Sequence, residues 1–289
     1  MRIGTRGSAL ALVQARWVAE RLGPDVEIVT ITTLGDRGAA TLDKSRWISE
    51  LEFQLQDGRI DIAVHSAKDV PTELPDGLEL VAIPERAAAH DVICGAPALD
   101  ALDPGSRIGT SSLRRAAQVR AARPDLEVLE LRGNVDTRLR KLAEGQVDAA
   151  ILAAAGLDRL GRGAEAGGVL SEFVPAAGQG ALALEARTGA VAPDVLAAVS
   201  DPGATACVTA ERVLVHALGA TCHTPVGAHA RALGDGRFTV QAWVGLPDGS
   251  AWLRDEVTGD ADEIGPVCAQ RMLSAGAADL LRQAEKVAA

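Results

Sequence analysis

Arg2-Ile3-Gly4-Thr5 and Arg107-Ile108-Gly109-Thr110 are the same four residues, RIGT, written twice in one chain. The first copy continues RGSALALVQA and the second SSLRRAAQVR. In both, a short apolar stretch meets a glycine, then hydroxyls and arginine, then apolar residues at helical spacing. Each copy reads as a strand that turns directly into a helix, with Ser8 placed as an N-cap in the first. Strand and helix patterns alternate around both copies. VEIVTIT, IDIAVHS, LELVAIP and DVICGA read as strands with the first copy, and LEVLEL and VDAAILA with the second. ISELEFQL, VDTRLRKLAEG and AGLDRL read as helices, GRGAEAGG as a loop, and ALALEA as a further strand. The expectation is two similar α/β lobes, each a mostly parallel sheet with helices on its faces. In such sheets ligands sit outside the carboxyl ends of the strands. Free backbone N–H groups and the helix dipole there favour anions. Two such corners facing each other make a cleft suited to carboxylates.

The last third of the chain reads differently. A helix over ATACVTAERVLVHAL leads into GATCHTPVG and then three strand-like runs, AHARAL, FTVQAWVG and AWLRDEV. Gly234-Asp235-Gly236 and Pro247-Asp248-Gly249 supply the turns between them. A single closing helix is expected over roughly residues 262–282. This is a small α+β domain with a three-stranded antiparallel sheet.

Composition narrows the function. At 289 residues the chain exceeds one ordinary core. Apolar residues at 47% and charged residues at 24% fit a soluble globular protein. The longest apolar-and-glycine run, Ala149 to Leu157, falls short of a membrane span, so no membrane partner is expected. Gln14 and Arg16 break the early apolar run, and no small-residue cleavage site follows, so a cytoplasmic location is expected. Cys94, Cys207, Cys222 and Cys268 are scattered without a C-x-x-C pair and read as reduced thiols, with no metal site. A net charge of −10 argues against nucleic acid, and seven aromatics without tyrosine make no base-stacking platform.

The residues able to carry chemistry cluster at the expected strand ends. HSAKDVPT puts His65, Ser66, Lys68 and Asp69 just after a strand and before Pro71. A Lys-Asp pair there is either a surface turn or a carboxylate poised at the sheet mouth. Asp69, flanked by Lys68, suits stabilising a developing cation or shuttling a proton. TSSLRR offers the hydroxyls of Thr110, Ser111 and Ser112 at a helix start, with Arg114 and Arg115 behind. Those two arginines lie ~100° apart on a helix, which suggests two different carboxylate partners. LRGNVDTR adds Arg132 and Arg138 around another turn. Arg107, Arg120, Arg123 and Arg140 complete a concentration of arginine in an acidic chain. Local guanidinium contacts, each worth about 1.5–3 kcal/mol, outweigh a negative surface screened beyond about 8 Å. Cys222, in a glycine- and proline-bounded loop, is either a small apolar loop residue or a nucleophilic thiolate. Gln179 in GQG is either a polar group at a domain crossing or a plain loop residue. No Walker loop, zinc signature or Ser-His-Asp pattern is present.

Seven stretches in order resemble the porphobilinogen deaminase (hydroxymethylbilane synthase) family nearly end to end. They are RIGTRGSALALVQA, IDIAVHSAKDVPT, IGTSSLRRAAQ, LRGNVDTRL, AAAGLDRLG, PAAGQGALALE and TAERVLVHALGATCHTPVGAHA. The resemblance implies two lobes like those of type II periplasmic binding proteins, around a cleft. Domain 1 would cover 1–86 and 178–199, domain 2 87–177, and domain 3 200–289. It implies a dipyrromethane cofactor, held through a thioether on Cys222. It implies head-to-tail condensation of four porphobilinogens onto that primer with loss of ammonia, then hydrolytic release of hydroxymethylbilane. Asp69 would stabilise the azafulvene cation formed on ammonia loss and assist proton transfer. Arg6, Ser8, Lys68, Ser112, Arg114, Arg115, Arg132, Arg138 and Arg159 match positions that bind cofactor or substrate carboxylates. Thr110, Ser111 and Gln179 join that set. The chain is expected to act as a monomer.

Two departures from the family pattern stand out. The segment RGAATLDKSRWIS is shorter than the family's glycine-rich loop, with Trp47 and Lys44 in place of its phenylalanine and lysine, and His223 replaces a glutamine beside Cys222. The rival reading of such a cleft is a non-catalytic two-lobed carboxylate-binding or sensing protein. The missing export signal and the missing helix-turn-helix segment speak against it.

Overall fold

The computed structural model describes residues 1–32, 48–221 and 224–288. Lys44, Trp47, Cys222 and His223 lie outside the described residues. The first sheet contains β1 (Arg2–Arg6), β2 (Glu27–Ile31), β3 (Ile62–Ser66), β4 (Leu78–Ala82) and β10 (Leu182–Arg187), ordered β2-β1-β3-β10-β4. The second contains β5 (Asp91–Cys94), β6 (Arg107–Gly109), β7 (Glu127–Leu129), β8 (Ala149–Ala153) and β9 (Gly168–Val169), ordered β7-β6-β8-β5-β9. The two orders are the same plan. Each lobe has its RIGT strand in second place, flanked by two parallel partners.

The expected mostly parallel sheets are mixed. β10 runs antiparallel to β3 and β4, and β5 runs antiparallel to β8 and β9. The cause is the path of the chain. It crosses between lobes after β4 and again before β10, and each crossing delivers a strand that enters the other sheet reversed. This is a two-lobed mixed α/β architecture in which both sheets follow one strand plan.

The repeated tetrapeptide builds the same corner twice down to its contacts. Arg2 N donates to Asp61 Oδ2 at 2.7 Å and its guanidinium to Gly58 O. Arg107 N donates to Asp148 Oδ2 at 2.7 Å and its guanidinium to Gly145 O. The glycines are needed for close packing: a Cβ on Gly4 would lie 2.3 Å from Ile60 Cδ1, and one on Gly109 2.6 Å from Leu131 Cδ2. Both strands then feed capped helices. Ser8 Oγ accepts from Ala11 N to start α1 (Ala9–Leu22), and Ser112 Oγ accepts from Arg115 N to start α3 (Leu113–Ala122). α2 (Ser49–Gln56), α4 (Val135–Ala143), α5 (Ala154–Arg159) and α6 (Pro193–Ala197) complete the helices of the two lobes. Ile3, Val18, Ile62 and Leu184 fill one core beside the first sheet, and Ile93, Ile108, Val119 and Ile151 one beside the second.

α7 (Pro202–Ala217), capped by Asp201 with Pro202 in its first turn, leads to the third sheet. That sheet is antiparallel, β11 (Val226–Ala232), β12 (Phe238–Gly245) and β13 (Trp252–Gly259). The closing segment is two helices, α8 (Ala261–Ser274) and α9 (Ala277–Ala288), instead of one. Gly276, at φ 102°, breaks the run where continuous apolar spacing disguised the turn. The stretch GRGAEAGG, expected as a loop, contains a short 3-10 turn at Gly163–Glu165, and its last glycine opens the edge strand β9. Two residues are too few to show alternation in sequence.

Candidate active site

Strand β3 ends at Ser66 and turns at once into a 3-10 turn, Ala67–Asp69. Three neighbours fix that turn. Ala67 N donates to Ala181 O at 3.0 Å. Gln14, buried on α1, donates to Ser66 Oγ at 2.9 Å. Gly178, at φ 72°, presses on the turn so closely that a Cβ there would lie 2.8 Å from Ala67 C. The turn therefore presents Lys68 and Asp69 at the carboxyl end of the sheet, where the sequence put them.

A pocket of about 80 Å³ opens beside this turn, between the two lobes. Its lining includes Lys68, Arg115, Arg138 and Arg159, with Gln14, Ser66 and the backbone of Gly180 and Ala181. Among the described residues no carboxylate belongs to that lining. Burial lowers the Arg115, Arg138 and Arg159 guanidinium pKa values, and Arg115 adds its like charge to push Arg138 down to about 10. The Asp69 carboxylate acts in the other direction on Arg115 and Arg138. Three buried guanidinium groups around one cavity, with Lys68 on the same lining, are the electrostatic form of a site for a multiply charged carboxylate.

Each guanidinium is held by protein acceptors. Arg138 Nε donates to Gly133 O at 2.7 Å and its Nη2 to Ser111 Oγ at 2.9 Å, which ties the two corners of the second lobe together. Arg159, closing α5, donates to Gly180 O at 2.7 Å across the lobe boundary. Arg115 donates to Asp91 Oδ1, to Ile151 O and to Gln179 Oε1. Arg114 lies behind the pocket, bound to Asp91 and to Val174 O. The sequence suggested two carboxylate partners for Arg114 and Arg115. They share one, because Asp91 opens β5 directly beneath the start of α3 and the two side chains converge on it.

The remaining candidates divide in the same way. Thr110 is buried and its Oγ1 accepts from Ser112 N at 3.2 Å. Ser8 and Ser112 cap helices. Arg6 ends β1. Gln179 is the polar group of a crossing, donating to Ala89 O and Asp91 Oδ1. Arg132 is half exposed and pairs with Glu130 at 2.6 Å, outside the pocket lining. Of the wider arginine concentration, Arg107, Arg123 and Arg140 pair with Asp148, Asp125 and Glu144, and Arg120 binds Pro247 O. These are structural contacts. Cys222 lies outside the described residues; beside it, Thr224 Oγ1 accepts from Thr221 N at 2.9 Å.

Sequence reasoning missed the buried carboxylates. Asp91 is fully buried, and although burial pushes its carboxyl up, Arg114 and Arg115 hold it well below the usual range. Glu211 on α7 is also fully buried and takes Arg86, Gly178 N and Ala230 N. Glu185 on β10 faces His65 Nε2 at 2.9 Å. The available signal was an acid inside an apolar run: HDVIC, TAERV and ALALEA.

Together these features define a two-lobed α/β protein with a cation-lined cleft next to the turn that carries Asp69. Residues 1–192 match the family model for the porphobilinogen deaminase dipyrromethane cofactor binding domain, and residues 205–274 match that family's C-terminal domain. A porphobilinogen deaminase from Deinococcus deserti is 47% identical over 311 residues, covering 98% of each chain. One from Thermus thermophilus is 45% identical over 294 residues, covering 97% of this chain and 98% of its own. Among solved structures, immunogenic lipoprotein A from Vibrio vulnificus aligns with a TM-score of 0.42 at 16% identity, over 68% of this chain and 94% of its own. The chain belongs to the porphobilinogen deaminase family, and its enzyme class is transferase.

Proposed function

We propose that this chain is a hydroxymethylbilane synthase, which joins four porphobilinogen molecules head to tail with release of ammonia and frees the linear tetrapyrrole by hydrolysis. The observation that carries this reading is the pocket lining: four cations from both lobes and no carboxylate among the described residues, beside Asp69. Each substrate ring bears two carboxylates, so a growing chain needs this kind of lining. The non-catalytic binding reading is not favoured, since the chain's relatives at this level of identity are enzymes.

The same residues fit the dipyrromethane cofactor, itself a polycarboxylate. Lys68, Arg115, Arg138 and Arg159 would hold its acetate and propionate groups, with Ser111 reached through Arg138. Arg6, Ser8, Thr110, Ser112, Arg114, Arg132 and Gln179 complete the proposed set, and Cys222 is the proposed thioether attachment. When bound, the cofactor supplies a covalent primer for chain growth.

The protein's own groups then have distinct tasks. The guanidinium and ammonium groups orient carboxylates by charge-assisted hydrogen bonds. Asp69 stabilises the positive charge that develops on the substrate as ammonia leaves, and accepts or returns a proton at its carboxylate. Burial of the arginines lowers the local dielectric and strengthens both effects.

The reading includes three domains at 1–86 with 178–199, 87–177 and 200–289, and the grouping of the strands into three sheets supports a threefold division. It also includes a monomer in the cytoplasm without nucleic-acid partners. No helix among the described residues is long and apolar enough to cross a membrane. Intact mass tests the core of it. Purified protein is expected to be heavier than the bare chain by a covalent dipyrrole that gives a pyrrole colour reaction, and Cys222→Ser is expected to lose adduct and activity together. An active Cys222→Ser protein ends the assignment of the attachment site, and wild-type protein that never acquires an adduct on incubation with porphobilinogen ends the reading as a whole.

A further inference from the structure

The turn that carries Asp69 is gripped from outside the two lobes. Arg212, on α7, donates from Nη1 to Val70 O at 3.1 Å, and from Nη2 to Pro71 O at 2.5 Å and Thr72 O at 3.1 Å. Three consecutive carbonyls, starting one residue after Asp69, end on one guanidinium. α7 is shaped for this contact. Ala204 and Val208 pack with Ala67, Val70, Ala181 and Ala183 in one buried cluster, and residues 204, 208 and 212 share a helix face at i, i+4 and i+8. The apolar members of the stripe seat the turn, and its charged member closes over the carbonyls that follow.

The contact is not surface decoration. Burial lowers the Arg212 guanidinium pKa, while the Glu185 carboxylate opposes that shift. A desolvated arginine is kept only where its donors are used. Pro71 supplies no N–H to a neighbouring ladder, so the residue 70–72 segment is fixed through its carbonyls instead. The neighbouring Glu211 binds Gly178 N at 2.7 Å, and Gly178 presses on Ala67 from the other side. Two adjacent residues of α7 therefore bracket the Asp69 turn.

We propose that Arg212 is a positioning residue for Asp69: from the helix that leads into the third sheet, it fixes the carbonyls of 70–72 and so the aim of the Asp69 carboxylate. This rests on the catalytic reading of Asp69 given above. A carboxylate that must meet a developing charge loses much of its effect when displaced by about 1 Å, a change that can cost about 100-fold.

The experiment compares Arg212→Gln, Arg212→Lys, Asp69→Asn and the double variant Asp69→Asn/Arg212→Gln as purified holoproteins, with adduct content normalised by intact mass. Steady-state kinetics are read with amide exchange over residues 66–74 and over β11–β13. Arg212→Gln is expected to lower kcat by about 10- to 100-fold with KM nearly unchanged, and to speed exchange only in 66–74. Arg212→Lys is expected to restore part of kcat. In the Asp69→Asn background Arg212→Gln should cost nothing more, because the two act through one step. A normal kcat in Arg212→Gln while Asp69→Asn is inactive overturns this proposal and spares Asp69. So does a fall in kcat accompanied by equally fast exchange throughout β11–β13, which would mark a general structural role. A normal rate in Asp69→Asn instead overturns the reading on which the proposal rests.

Discussion

Arg114 and Asp91 form a two-pronged ion pair, Nη1 to Oδ2 at 2.7 Å and Nη2 to Oδ1 at 3.3 Å, with both side chains buried. Arg115 adds Nε to Oδ1 at 2.9 Å, so one carboxylate holds two adjacent guanidiniums. The arrangement sorts the pair by task. Arg114 gives its Nη donors to Asp91 and Val174 O, whereas Arg115 also reaches the pocket. Asp91 is thus what allows a positively charged cleft to exist on a folded chain.

Asp91→Asn leaves two buried cations with no anion. Removing one partner of a buried pair costs about 3–5 kcal/mol, and denaturant unfolding should show a loss of that size. The pH dependence has a definite sign. The folded carboxyl is held below its unfolded value, so its contribution is present above about pH 4 and is lost as pH falls through the folded value. Wild-type stability should therefore decline on acidification below about pH 4, and that part of the decline should be missing from Asp91→Asn. A variant as stable as wild type at neutral pH would show that the pair is not what anchors the helix.

Arg138 makes the opposite case. Its pKa is pushed down to about 10 by burial and by Arg115, so its charge is held at a cost to stability. In Arg138→Gln the loss of the bonds to Gly133 O and Ser111 Oγ is offset by the removal of a desolvated like charge, so thermal stability should change little. The same variant should bind substrate more weakly, with KM raised about 10-fold or more, because a charge-assisted contact worth about 1.5–3 kcal/mol is gone. Steady-state kinetics beside a thermal melt separate the two effects. A destabilised variant with normal KM would make Arg138 a structural residue.

The architecture was legible because the RIGT corner carries its signals locally: alternating residues, a capping serine and helical spacing within a dozen positions. Strand direction was not, since β5 and β10 owe theirs to the path of the chain between lobes and not to their own residues. For the same reason the site was half legible. Lys68 and Asp69 sit on the turn after β3, and Arg115 and Arg138 near the starts of α3 and α4, where sequence alone implies exposure to a ligand. Arg107 sits at the opposite end of its strand and pairs with Asp148, a partner 41 positions away that no local pattern reveals. Asp91, Glu211 and Arg212 act across elements distant in sequence, and their meaning appears only once packing brings them to the two crossings.

The crossing itself provides the last test. Gly178 has φ 72° and lies against Ala67 and Lys68, the two residues before Asp69. A methyl group there must displace backbone, because Ala67 C would be 2.8 Å away and Lys68 N 2.9 Å. The left-handed conformation adds strain of about 1 kcal/mol or more for any other residue. Gly178→Ala should therefore lower stability by about 1–3 kcal/mol while reducing kcat far more than that loss explains, since the push falls on the Asp69 turn. Glu211 accepts from Gly178 N and fixes the other side of the peptide, so the chain cannot relax away from the clash. Denaturant unfolding and kcat measured on the same preparation read both terms. Normal turnover in a folded Gly178→Ala enzyme would mean that the Asp69 turn tolerates displacement, and the tight packing around it would then serve only the fold.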